Sequence, residues 1–131
     1  MSITSPQNSS ASPDAVAVRC RGLTKAYGTG DARTLALRGI DLDIHRGELL
    51  MLAGPSGSGK TTLLSIIAGM LDQDAGECLV LGHNLREDPA DERAQFRGQS
   101  VGFVFQAFNL LPSLTIAENV AVPLLIRDVH R

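Results

Sequence analysis

Nine residues, GPSGSGKTT at 54–62, have the types and spacing of a phosphate cradle. Gly54, four residues, then Gly59, Lys60 and Thr61 satisfy G-x-x-x-x-G-K-[ST]. A bound triphosphate needs many backbone N–H groups converging on one small space. Glycines at 54, 57 and 59 allow a tight, partly left-handed backbone that turns those groups inward. Pro55, Ser56 and Ser58 fill the positions between them, and the two serines bring further donors. A helix opening near Lys60 adds its positive end. Lys60 supplies a mobile charge for the β- and γ-phosphates. The Thr61 hydroxyl is a hard oxygen ligand for Mg²⁺, with the Thr62 hydroxyl beside it. The expected ligands are therefore a triphosphate and Mg²⁺.

This chemistry works only if a strand delivers the loop and a helix leaves it. LLMLA (49–53), apolar at every position, predicts a strand buried on both faces. TTLLSIIAGML (61–71) predicts the helix, stopped by Gly69 and the turn DQDAGE (72–77). Upstream, VAVRC (16–20) reads as a strand running to a turn at AYGTGD (26–31). Leu35 and Leu37 belong to a second short strand. In GIDLDIHRGE (39–48), Ile40, Leu42 and Ile44 alternate with Asp41, Asp43 and His45, the period of a half-buried strand. Downstream, CLVLG (78–82) and VGFVFQ (101–106) predict strands. PADERAQF (89–96) predicts a helix with Pro89 at its first position. TIAENVAVPLLI (115–126) predicts a helix with a capping box between Thr115 and Glu118, kinked or ended by Pro123. Residues 1–14, rich in Ser, Asn and Pro, have little to bury and predict a disordered tail; 15–131 form one domain.

Composition narrows the class. A net charge of −2 with no basic run argues against a nucleic-acid partner. No apolar stretch is long enough to span a bilayer, and the N-terminus lacks the basic start and apolar centre of a signal peptide. Four Phe, one Tyr and no Trp require an aliphatic core. Cys20 and Cys78 form no C-x-x-C pair and read as buried thiols. His45, His83 and His130 fit no motif and read as structural or exposed.

Two longer stretches resemble the ATP-binding subunit of ABC transporters: LALRGIDLDIHRGELLMLAGPSGSGKTTLLSIIAGMLDQDAGECLVLG and SVGFVFQAFNLLPSLTIAENVAVPLLI. The likeness is greatest to the lipoprotein-releasing and macrolide-export group. It implies an α/β fold: a P-loop NTPase core with an antiparallel β subdomain, ending before the helical subdomain is complete. It implies that Tyr27, 33 residues before Lys60, stacks on adenine, and that Thr62 meets the α-phosphate. It implies that Gln106 reaches the metal and the attacking water. Ala107–Leu114, with apolar Phe108, Leu110, Leu111 and Leu114, then faces a transmembrane permease, and a second ATP-binding subunit closes over the nucleotide. The implied location is the cytoplasmic face of the inner membrane, as a peripheral subunit.

Other family parts are not in these residues. No run of four apolar residues precedes an Asp-Glu pair; LLIRD (124–128) comes nearest and Arg127 breaks it. FRGQS (96–100) shares only Gly-Gln with the L-S-G-G-Q signature and lies before Gln106. No catalytic carboxylate is therefore assigned, and the sequence reads as the N-terminal part of such a subunit. Alternatives are a nucleotide-binding module without turnover, a cell-division-associated relative, or a small-molecule P-loop kinase with Arg93 and Arg97 as lid residues.

Overall fold

The computed structural model describes residues 2–4, 16–107 and 109–128, in two compact units, Met1–Glu87 and Asp88–Arg131. The first holds strands β1 (Ser2–Thr4), β2 (Val16–Tyr27), β3 (Thr34–His45), β4 (Met51–Ala53) and β5 (Ala75–Val80), with helix α1 (Lys60–Ile67) between β4 and β5. The second holds helices α2 (Ala90–Ser100) and α3 (Ile116–Asp128).

Alternation builds the main sheet. Its order is β3-β2-β5, antiparallel throughout. Val18, Cys20 and Leu23 from β2, Leu37 and Leu42 from β3, and Cys78 and Val80 from β5 are buried. Leu63 and Ile66, three apart on α1, complete the apolar cluster. No aromatic residue is buried among the described residues, as the composition requires. Cys20 and Cys78 are paired across β2 and β5 as free thiols, their sulfurs 3.5 Å apart. The hydrogen bond to Cys78, together with burial, pushes the Cys20 thiol above its usual value. On the other face Arg21 donates to Asp43 (2.6 Å) and the Gly22 amide to Asp41 (2.7 Å), tying β2 to β3.

Several expectations change. The two strands expected over 34–48 are one, because Gly39, at φ +78°, is absorbed as a bulge between the pairs Leu23–Ile40 and Thr24–Arg38. The strand expected to be buried on both faces at 49–53 is only Met51–Ala53, paired with β1 alone, and Leu49 and Met51 are 84% and 69% exposed. VGFVFQ (101–106) is not a strand. Its backbone pairs with no described strand, and Val104 is 96% exposed. Both segments are apolar enough for a central strand but lack the neighbours that would make them one. The disordered tail expected over 1–14 does not extend to Ser2–Thr4, which is β1: the β-prone Ser-Ile-Thr pairs with the free edge of β4. Met1 and 5–14 lie outside the described residues, as does His130.

In the second unit, α2 runs four residues beyond Phe96, and Pro89 is its N-cap and not its first turn. The capping box of α3 forms as expected. The Thr115 amide donates to the Glu118 carboxylate (2.7 Å), and the Glu118 amide to the Thr115 hydroxyl (3.3 Å). Pro123 removes one backbone donor, yet the helix continues to Asp128.

Candidate functional site

The loop between β4 and α1 is set by its glycines. Gly57 and Gly59 have φ of +77° and +88°. Gly59 is buried, and a Cβ there would run into the carbonyl of Ala36 on β3. Only glycine lets the loop lie against that strand. The first intrahelical bond of α1 runs from the Leu63 amide to the Gly59 carbonyl (2.9 Å). The amides of Lys60, Thr61 and Thr62 therefore precede the ladder, at the positive end of the helix.

The Lys60 ammonium folds back into this loop. It donates to the carbonyls of Gly54 (2.8 Å) and Pro55 (2.7 Å) and to the Ser58 hydroxyl (3.2 Å). Ser56 and Thr61 are exposed and Thr62 is half-buried. A cation, four hydroxyls and a helix N-terminus around one glycine turn form a donor set suited to a polyphosphate, with Thr61 an oxygen ligand available to a divalent metal.

Tyr27 ends β2, and its hydroxyl shares a hydrogen bond with the Thr62 hydroxyl at 3.4 Å. The ring is 47% exposed. An aromatic face thus stands beside the first turn of α1. Of the residues singled out in the sequence, Tyr27 and 54–62 come together. Gln106 belongs to the second unit, exposed in a bend after the extended 101–105 segment.

The proposed partner surface also lies in the second unit. Phe108 is outside the described residues. Leu110, Leu111, Leu114, Ile116 and Val120 line an apolar depression, in which Leu110 is 64% exposed. One side chain organises it. Asn119 accepts from the Leu111 amide (2.8 Å) and donates to the carbonyls of Leu111, Leu114 and Thr115 at 3.0–3.2 Å. Sequence reasoning missed Asn119, and also Asp74, whose carboxylate holds the end of β2. Asn119 works through backbone partners and Asp74 through partners distant in the chain, which no residue pattern announces.

Against known proteins, the ABC transporter family model matches residues 37–131. The chain belongs to that family. Lipoprotein-releasing system ATP-binding protein LolD 1 of Caulobacter vibrioides is 46% identical over 106 residues, covering 81% of this chain and 45% of that protein. Pyoverdine export ATP-binding/permease protein PvdT of Pseudomonas syringae pv. tomato is 50% identical over 105 residues, covering 79% of this chain and 16% of that protein. Among solved structures, the dimeric post-hydrolysis state of the ATP-binding cassette MJ0796 bound to ADP and Pi matches with a TM-score of 0.78 and 39% identity, covering 84% of this chain and 47% of that one. The fold is that of part of an ABC nucleotide-binding cassette, and the chain spans half or less of the length of these relatives.

Proposed function

We propose that this chain carries the nucleotide-binding part of an ABC transporter ATP-binding subunit, which couples ATP hydrolysis to export or lipoprotein release through a membrane permease. The observation that carries the reading is the Lys60 ammonium seated within the 54–59 loop, with Tyr27 against Thr62 at its flank. The transport role is supported by relatives named for pyoverdine export and for lipoprotein release.

In this reading the loop amides and Lys60 bind the β- and γ-phosphates, and Ser56, Ser58 and Thr62 add hydroxyl contacts. Tyr27 stacks on the base, a contact that tolerates different bases because it reads a π-face. Thr61 offers the loop's metal ligand, and Gln106, in the second unit, is assigned its metal role by the family resemblance alone. Bound Mg²⁺ neutralises charge on the phosphate oxygens. In the same reading the segment Ala107–Leu114, whose described leucines line the apolar depression, faces the permease, and the subunit sits peripherally on the cytoplasmic face of the membrane. A second ATP-binding subunit closes over the nucleotide. Phosphoryl transfer depends on positioning and electrostatics, and these 131 residues contain no apolar run ending in Asp-Glu to orient the water. Alone, they hold the nucleotide and turn it over very slowly.

Titration of the 131-residue chain with labelled ATP, with and without Mg²⁺, tests this. Binding strengthened by Mg²⁺, lost in Lys60→Ala and accompanied by no more than very slow phosphate release is expected. A folded chain that ignores ATP rejects the reading.

A further inference from the structure

Three consecutive residues at the end of β2 are held by a single residue, Asp74. The Asp74 amide donates to the Thr24 carbonyl (2.9 Å). One carboxylate oxygen accepts from the Lys25 ammonium (2.8 Å) and the other from the Ala26 amide (2.8 Å). The next residue is Tyr27.

The ladder explains why such a clamp is needed. β2 is paired on both sides only as far as Thr24, whose partner on β5 is Ala75. Lys25, Ala26 and Tyr27 are paired on the β3 side alone. Past Thr24, the edge that β5 no longer covers carries an amide without a strand partner, and the Asp74 carboxylate takes that amide. The Lys25 side chain, 16% exposed, is drawn into the same contact. Both donors favour the charged form, and the carboxyl is held below its usual range by Lys25 first and by the Ala26 amide second.

Asp74 also follows α1 in the chain. The first turn of α1 meets Tyr27 through Thr62, and the loop leaving α1 meets Thr24–Ala26 through Asp74. The segment that starts at the phosphate loop is thus fastened to the end of β2 at two points, at Tyr27 itself through Thr62 and at the three residues before it through Asp74.

We propose that Asp74 is a positioning residue for the nucleotide base: it fixes the end of β2 so that the Tyr27 ring is held beside the phosphate loop. The inference rests on the reading of Tyr27 as the base-stacking residue. It separates two parts of the ligand, since the triphosphate is gripped by 54–62 and only the base depends on Tyr27. Loss of Asp74 then weakens nucleotides and spares inorganic tripolyphosphate.

The experiment is a calorimetric titration of the full chain with Mg-ATP and with Mg-tripolyphosphate, for the parent, Asp74→Ala, Tyr27→Ala and the double variant. Base–aromatic stacking sets the scale: Tyr27→Ala is expected to weaken ATP about tenfold or more, and Asp74→Ala about three- to tenfold. Tripolyphosphate affinity stays within about twofold in both, and Asp74→Ala adds nothing once Tyr27 is gone. Asp74→Asn keeps the shape but leaves one oxygen for two donors. It shows the same selectivity with a smaller loss, and decides the question if circular dichroism finds Asp74→Ala unfolded. Equal loss of both ligands, or no loss of ATP, overturns the inference, as does an undiminished effect in the Tyr27→Ala background. If Tyr27→Ala itself leaves ATP binding intact, the stacking reading fails and the inference fails with it. Loss in Tyr27→Ala without loss on changing Asp74 removes the inference alone.

Discussion

At residue scale the phosphate loop depends on two glycines that are not equivalent. Both have positive φ, so any side chain strains the backbone by about 1–3 kcal/mol. At Gly57 a Cβ meets nothing within 4 Å, whereas at Gly59 it meets the Ala36 carbonyl and the Leu37 side chain. Gly59→Ala is therefore expected to destabilise the chain more than Gly57→Ala, because it must also push α1 away from β3. Denaturant unfolding of the two variants measures this. Equal losses would mean that the contact of the loop with β3 contributes nothing. Lys60, the proposed phosphate ligand, already has three loop oxygens as partners, so its charge is held within the loop without a ligand.

At element scale the local parts of the account were legible in the sequence and the non-local parts were not. G-x-x-x-x-G-K-T followed by a three-four apolar spacing specifies a loop and the helix behind it, because all the interactions concerned lie within a few residues. The Thr115–Glu118 box specified the start of α3 for the same reason. Whether 49–53 and 101–106 are strands depends on neighbours, which a hydrophobic run cannot supply, and here the expectation failed. Asp74 was invisible because its partners lie 48 and 49 residues away. Three carboxylates are held below their usual range, two of them joining elements and one capping α3: Asp43 by Arg21, Asp74 by Lys25 and the Ala26 amide, and Glu118 by the Thr115 amide and hydroxyl. A depressed carboxylate contributes stability above its unfolded value and loses it as pH falls through the folded one. The thermal midpoint is therefore expected to stay level from about pH 7 to about pH 5 and to fall below about pH 4. Asp43→Asn should flatten that fall. A midpoint that rises on acidification would contradict the assignment of these ties.

At the scale of the whole molecule, the first unit gathers Tyr27 and the 54–62 loop, and the second presents Gln106 and an apolar surface built on Asn119. On the proposed reading the first unit grips nucleotide and the second meets a membrane partner. The central claim is that the first part binds a nucleotide with its base on Tyr27. Tyr27 is the chain's one tyrosine and there is no tryptophan, so its emission reports on that ring alone. The decisive measurement is a titration of tyrosine fluorescence with Mg-ATP, in the parent chain and in Lys60→Ala. The account predicts saturable quenching in the parent, abolished in Lys60→Ala although Tyr27 is unchanged. Emission that does not respond to Mg-ATP in a folded parent chain, or that responds equally in Lys60→Ala, would contradict it.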